Sequence, residues 1–314
     1  MPSVEIIDST YVSVPETARP PPEPIKLTAL EVRWVAFPVL QNVLLYEGPD
    51  MPPFDAILQS LRSSLVVTLV SFAPLAGKLV YLEETGDVAI SCSATDGVKF
   101  VVAESDANIS WLAGDEEHDL RVLERLVPEV DMGELPAPVL AVQATRLEGG
   151  VAVGLTVHHA VADGRSLWTF VEAWAATCRG ETPATAPCFD RSLRTTRGCL
   201  ARLPARELRG ERALAAAASA VRDEVRKTRE APVATWDFLT SVLAGYPWDH
   251  MMNVSGSPRF RAYEEADFGW GKPRRTEQIN MDHDGQIALM GAGDGRGVQV
   301  SVSLLNPKST EICR

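Results

Sequence analysis

The chain has 314 residues, 46% of them hydrophobic and 23% charged, which suits one large domain or two ordinary ones with a sizeable core. Asp and Glu number 42 against 30 Lys and Arg, a net charge of −12 that excludes a broad nucleic-acid-binding surface but not a small anionic ligand on a local basic patch. The 5 cysteines are an odd number without a Cys-x-x-Cys pair, which argues against a disulfide framework or a zinc site and for a reducing compartment.

The first residues, through the proline cluster Pro20–Pro24, lack a basic start followed by an apolar run. The longest apolar stretch, near Leu65–Leu75, is short for crossing a membrane. A cytosolic protein with no membrane partner is the expectation.

β-Branched and aromatic residues between turn formers predict strands at Val32–Pro38, Gln41–Glu47, Lys78–Leu82, Val88–Ser93 and Val98–Ala103. Phe54–Phe72 is long and apolar on one side, a helix. Val139–Arg146 and Val151–Val157 predict a hairpin through Glu148-Gly149-Gly150. Leu167, Phe170, Val171, Trp174 and Cys178 recur at helical spacing, with Ser166 or Asp163 as cap. Prolines and glycines interrupt the pattern over Glu181–Gly210, which predicts a linker at 181–210 between a first domain, 1–180, and a second, 211–314. Beyond it, Glu211–Arg229 and Thr235–Leu243 read as helices, and Glu277–Met281, Gln286–Met290 and Val298–Leu305 as strands. The whole is a mixed α/β layout. Eleven Lys and Arg lie between Arg191 and Glu230, either a solvated face or a patch near an anionic cofactor.

The stretch Val157-His158-His159-Ala160-Val161-Ala162-Asp163-Gly164-Arg165-Ser166 carries an apolar strand into a His pair and then into a helix. A strand end that delivers a histidine suits proton abstraction from a hydroxyl, because the imidazole titrates at roughly 6.5. Residue types alone fit two structural histidines equally well. A metal site would need a third ligand, and neither His118, His250 nor His283 stands at ligand spacing from His159, so no metal is expected. About a hundred residues on, Asp267-Phe268-Gly269-Trp270-Gly271-Lys272 places two glycines around a tryptophan, either a turn that approaches something closely or a structural loop with a buried aromatic. It is not a kinase element, since no Gly-rich loop or His-Arg-Asp accompanies it.

In this order and spacing the two motifs resemble the BAHD plant acyltransferases, which carry His-x-x-x-Asp in mid-chain and Asp-Phe-Gly-Trp-Gly towards the C-terminus. Ala73-Pro74-Leu75-Ala76-Gly77-Lys78-Leu79, Phe189-Asp190-Arg191-Ser192 and Gly297-Val298-Gln299-Val300 resemble further family elements. Ser255-Gly256-Ser257-Pro258-Arg259-Phe260, with the His-His-Ala-Val-Ala-Asp-Gly-Arg-Ser run, is most similar to the branch that malonylates anthocyanins and phenolic glucosides. The resemblance implies an α/β, two-domain chloramphenicol acetyltransferase-like fold with mixed sheets and flanking helices. It implies His159 as the general base of direct acyl transfer from acyl-CoA, a co-substrate and the only cofactor-like molecule, to a phenolic or flavonoid glycoside. Asp163, paired with an arginine, and Gly164 would support the catalytic loop, and Asp267, Phe268, Gly269, Trp270 and Gly271 would form a structural motif away from the base.

For the donor, malonyl-CoA by this resemblance, Arg165 beside the base either meets a malonyl carboxylate or is a surface or Asp-pairing arginine at the helix start. Ser255, Ser257, Arg259 and Lys272 are candidates for coenzyme A, with Arg261, Arg274 and Arg275 close by. No nucleic acid or membrane partner is expected, and the protein is expected to be a monomer.

Family members are longer by about a hundred residues. Their Tyr-Phe-Gly-Asn element is missing here, Arg202–Gly210 leads almost directly into Ala213–Arg229, and the chain stops soon after Leu305-Asn306-Pro307. The second domain is therefore expected to be incomplete, with sheet edges and apolar faces uncovered. Three functions follow: a working acyltransferase, a non-catalytic relative that keeps the motifs, or a binding module indifferent to His159.

Overall fold

The computed structural model describes residues 2–15, 18, 21–36, 39–93, 95–131, 134–189, 201, 203–230, 252–279 and 286–303. Its strands are β1 (Val4–Ser13), β2 (Ile25–Lys26), β3 (Leu40–Glu47), β4 (Lys78–Leu82), β5 (Asp87–Ser91), β6 (Gly97–Asn108), β7 (Ala137–Pro138), β8 (Leu140–Glu148), β9 (Gly150–Val157), β10 (Asn253–Gly256), β11 (Arg275–Gln278), β12 (Gln286–Gly291) and β13 (Val298–Ser303). The helices are α1 (Ala29–Val32), α2 (Phe54–Phe72), α3 (Ile109–Leu112), α4 (Leu120–Glu124), α5 (Gly164–Cys178), α6 (Ala213–Glu230) and α7 (Ala262–Glu265). The predicted helix at Thr235–Leu243 and the ends of the last strand predictions lie outside the described residues.

The chain groups into two units, Met1–Phe189 with Met252–Arg314, and Asp190–Met251. This corrects the expected division into 1–180 and 211–314. The reason is pairing: β11, just after the Asp-Phe-Gly-Trp-Gly turn, lies antiparallel to β3, Arg275 opposite Leu45 and Gln278 opposite Asn42, so the C-terminal segment completes the N-terminal sheet.

The main sheet of the first unit has six strands in the order β1-β6-β8-β9-β3-β11. β6 and β8 run parallel, and the other neighbours are antiparallel. Helices α2 and α5 cover one face, and α3 and α4 cover the other. Burial on both sides explains why β9 reads as the nearly unbroken apolar run Gly-Val-Ala-Val-Gly-Leu-Thr-Val instead of alternating. In α2, Ile57, Leu61, Leu65, Leu69 and Phe72 form the inward stripe. Although α2 with the turn after it is long and apolar enough to cross a membrane, that stripe is spent on the core. The indole of Trp174 on α5 binds back to α2, donating to the Leu61 carbonyl at 3.1 Å and the Ser64 hydroxyl at 3.0 Å.

One predicted strand is a helix. Over Val32–Pro38 the β-branched residues predict extended chain, but α1 and a 3-10 turn, Arg33–Ala36, occupy the described part. The competing signal is a capping box: the Thr28 backbone N–H and hydroxyl both donate to the Glu31 carboxylate, at 2.9 and 3.0 Å.

A four-stranded antiparallel sheet, β2-β5-β4-β7, and a three-stranded sheet, β10-β12-β13, complete the unit. On the latter, Val254, Val298, Val300 and Val302 are each about half exposed, an apolar face of the kind expected for an incomplete domain. In the second unit the described residues form a 3-10 turn, Ala205–Leu208, and α6. Part of the basic run is neutralised on α6, where Arg222 and Arg226 meet Asp223 and Lys227 meets Glu224.

Candidate active site

β9 ends at Val157, and the chain turns at once. The His158 N–H donates to the Val139 carbonyl at 2.9 Å, and the His158 carbonyl accepts from the Val161 N–H at 2.9 Å and the Ala162 N–H at 3.3 Å. Successive residues at a strand end point to opposite sides, and the two histidines differ accordingly: His158 is fully buried and His159 is half-buried.

The Ala160 N–H donates to His158 Nδ1 at 3.3 Å, which puts the proton of the neutral ring on Nε2. Burial, and next the charge of His159, lower the His158 pKa to about 4. Unfolded, the same ring protonates near 6.5, so between those values the unfolded chain holds the extra proton and stability falls as the pH drops. The loss attributable to His158 reaches about 3 kcal/mol at the lower end of the window. Denaturant unfolding of wild type and His158→Gln at pH 7 and pH 4.5 measures it: the drop in stability is smaller in the variant by most of that amount.

His159 stacks on Trp34 of the 3-10 turn after α1, with ring centroids 4.3 Å apart and planes inclined by 28°. Its Nδ1 is buried without a hydrogen-bond partner, whereas Nε2 is not a buried, unpaired atom. Burial is the main influence on its pKa and lowers it, opposed by the backbone of His159 and Ala162 and by the charge of Asp163. The imidazole is thus held neutral, the form that accepts a proton.

Asp163 is the N-cap of α5: its Oδ1 accepts from the Ser166 N–H at 2.8 Å while its carbonyl accepts from the Leu167 N–H. Gly164 makes room for a neighbouring ring. Its φ is not positive, but a β-carbon there would lie 3.1 Å from the Phe260 ring, so the glycine lets that ring pack on the start of α5. Phe260 brings the Ser255–Phe260 segment to the same end of the helix. There Ser255 Oγ donates to Gln278 Oε1 at 3.3 Å, the Ser257 Oγ accepts the Arg259 N–H at 3.2 Å, and the Ser257 N–H donates to the Leu289 carbonyl at 2.8 Å. Arg165 is exposed on the first turn of α5, near enough to Glu265 on α7 to lower that carboxyl's otherwise burial-raised pKa.

Three of the predicted cations are engaged. Lys272 lies 3.7 Å from Glu264, and Arg274 lies 3.3 Å from Glu47. Arg275, 16% exposed, is clamped between Glu277 at 2.6 Å and Asp115 at 2.8 Å, so it is removed from any coenzyme-binding surface. Among the described residues, no group of three His, Cys, Asp or Glu is placed to hold a metal ion.

Asp267–Gly271 sits at the other end of α5. Phe268, 2% exposed, packs edge-on to Trp174 at 4.9 Å and Tyr46 at 6.3 Å and stacks on Trp270 at 5.6 Å. The Tyr46 hydroxyl donates to the Ala266 carbonyl at 2.7 Å, and Arg179, capping α5, donates to the Asp267 carbonyl. Trp174 is eleven residues along from Asp163, about 16 Å of helix. The glycines serve conformation and not close approach: φ is +102° at Gly269 and +99° at Gly271, and nothing lies within 4 Å of a β-carbon at Gly271. Asp267 Oδ1 fixes the turn by accepting both of their N–H groups, at 2.9 and 3.1 Å.

Sequence reasoning missed Trp34 and Phe260. The capping box Thr28-x-x-Glu31 was the available signal for the first, since it turns the chain that carries Trp34 into helix; none marked the second.

Residues 3–231 match the family described as the Transferase family. The chain is 34% identical over 196 residues to malonyl-CoA:anthocyanidin 5-O-glucoside-6''-O-malonyltransferase of Arabidopsis thaliana, covering 60% of this chain and 43% of that protein. It is 30% identical over 199 residues to phenolic glucoside malonyltransferase 1 of the same plant, covering 61% and 42%. The matched part thus spans about two fifths of the length of these curated relatives. The crystal structure of vinorine synthase shares the fold, with a TM-score of 0.75 at 19% identity over 98% of this chain and 96% of that one. With the family match running over most of its length, the chain belongs to the Transferase family, that of the BAHD acyltransferases.

Proposed function

We propose that the protein is an acyl-CoA-dependent O-acyltransferase that moves malonyl from malonyl-CoA to a sugar hydroxyl of a phenolic or flavonoid glucoside, with His159 as general base. The observation that carries this reading is the half-buried imidazole at the end of β9, its Nδ1 buried and unpaired and its pKa lowered. Nε2 takes the proton of the acceptor hydroxyl as the oxygen attacks the thioester carbonyl. The C–S bond breaks, and the departing thiolate recovers the proton from the imidazolium as coenzyme A. No acyl-enzyme is needed. The malonyltransferases among the relatives support the donor and the acceptor class. A cytosolic monomer completes the proposal.

The test is product formation from malonyl-CoA and an anthocyanidin or simple phenolic glucoside, beside His159→Ala. Turnover that the substitution removes supports the reading. A folded, monodisperse sample without turnover favours a non-catalytic relative.

Arg165 carries the donor preference in this proposal. A guanidinium at the start of α5 is suited to pair bidentately with a malonyl carboxylate, an interaction of about 1.5–3 kcal/mol. Arg165→Ala is therefore expected to lower kcat/KM for malonyl-CoA by about 10–100-fold and for acetyl-CoA by less than about threefold. Equal losses with the two donors would remove Arg165 from donor recognition.

A further inference from the structure

We propose that Trp34 is the positioning residue of His159: the indole, stacked at 4.3 Å, fixes the plane of the imidazole so that Nε2 faces the acceptor hydroxyl. The inference rests on the reading of His159 as the base and assigns the residue that aims it.

The last torsion of a histidine is broad, and a ring is normally fixed by a hydrogen bond to the nitrogen that does not react. Here that nitrogen, Nδ1, is buried and makes no hydrogen bond of ordinary length and angle, although the backbone of His159 and Ala162 lies close enough to favour the charged ring. Asp163 acts at a distance through its charge while its Oδ1 caps α5. The contact that defines the ring plane is the stack, inclined by 28°.

Trp34 is itself well placed for this task. It packs against the main hydrophobic core on a 3-10 turn, Arg33–Ala36, that follows the capping-box helix α1. The stacked face is also closed to water, which keeps the base neutral. Among the described residues, the titratable groups acting on or adjoining His159 are Asp163 and His158, and neither changes in the variants below.

The experiment compares Trp34→Phe, which keeps a planar ring, with Trp34→Leu, which keeps apolar bulk without a plane. Circular dichroism establishes that each is folded, and Trp34→Met replaces Trp34→Leu should leucine unfold the protein. With the donor and acceptor above, Trp34→Leu is expected to lose about 10–100-fold in kcat with KM within about threefold, and Trp34→Phe to stay within about threefold in both. By NMR of the imidazole, the His159 pKa rises towards 6.5 in Trp34→Leu and stays near wild type in Trp34→Phe.

Leucine and phenylalanine variants that behave alike, or a His159 pKa that stays or falls in Trp34→Leu, overturn the proposal. The NMR comparison needs no turnover. A wild type that is inactive defeats the proposed function, and the pKa difference then decides by itself whether the indole governs the ring.

Discussion

His159→Ala is expected to lower kcat by about 10²–10⁴-fold, the range for removing a positioned general base, with KM changed by less than about threefold. The asymmetry follows from the geometry. In the proposed mechanism the imidazole meets a proton in flight, a contact made in the transition state more than in the bound ground state. Its pKa is lowered, chiefly by burial, so the neutral base persists below pH 6.5. In wild type the acid limb of kcat/KM should therefore lie below 6.5, with one proton lost on the way up to the plateau, and His159→Ala should lack that limb in its residual rate. A limb unchanged in His159→Ala would assign the titration, and the base, to another group.

Phe268→Ala is expected to destabilise the first unit by about 3–5 kcal/mol, the cost of deleting a fully buried aromatic side chain. Three rings lose a partner at once: Trp174 of α5, Tyr46 of β3 and Trp270 of the turn itself. Each such aromatic pair contributes about 0.5–1.5 kcal/mol beyond its buried area, and the surrounding sheet and helix can close the gap only in part. Phe268→Leu fills more of the space and should recover a good share of the loss. Urea unfolding followed by tryptophan fluorescence reads both. A loss under about 1 kcal/mol in Phe268→Ala would mean that the ring is not a structural keystone. The effect on turnover should be secondary, since the turn lies at the far end of α5 from His159.

Legibility varied along the chain for physical reasons. Helix α2 was read to the residue, because its apolar stripe is uninterrupted and proline precedes it. The hairpin of β8 and β9 and the strand-to-helix passage through His159 were equally plain, since each depends on neighbours in sequence. β1 was not read. It is the edge of the main sheet, Ile6, Ile7 and Tyr11 are exposed, and an irregularity between Ile6 and Asp8 breaks the alternation that would have announced it. The domain boundary failed because pairing of β11 with β3 is a fact about distant residues, invisible to local patterning. The site shows the same divide: His159 and Asp163 stood out as a motif, whereas Trp34 acquires its meaning through a contact across more than a hundred positions.

The bond from Tyr46 to the carbonyl of Ala266 joins residues 220 positions apart. A ribosome making this protein would release the His159 loop well before the closing clasp exists, so the aromatic underside of α5 must wait exposed while the 88 residues from Cys178 to Ala266 are added. Such late stitching raises the entropic cost of ring closure and slows assembly. The nascent chain is consequently most vulnerable to chaperone capture or misassociation in the interval between making α5 and making the turn that locks it.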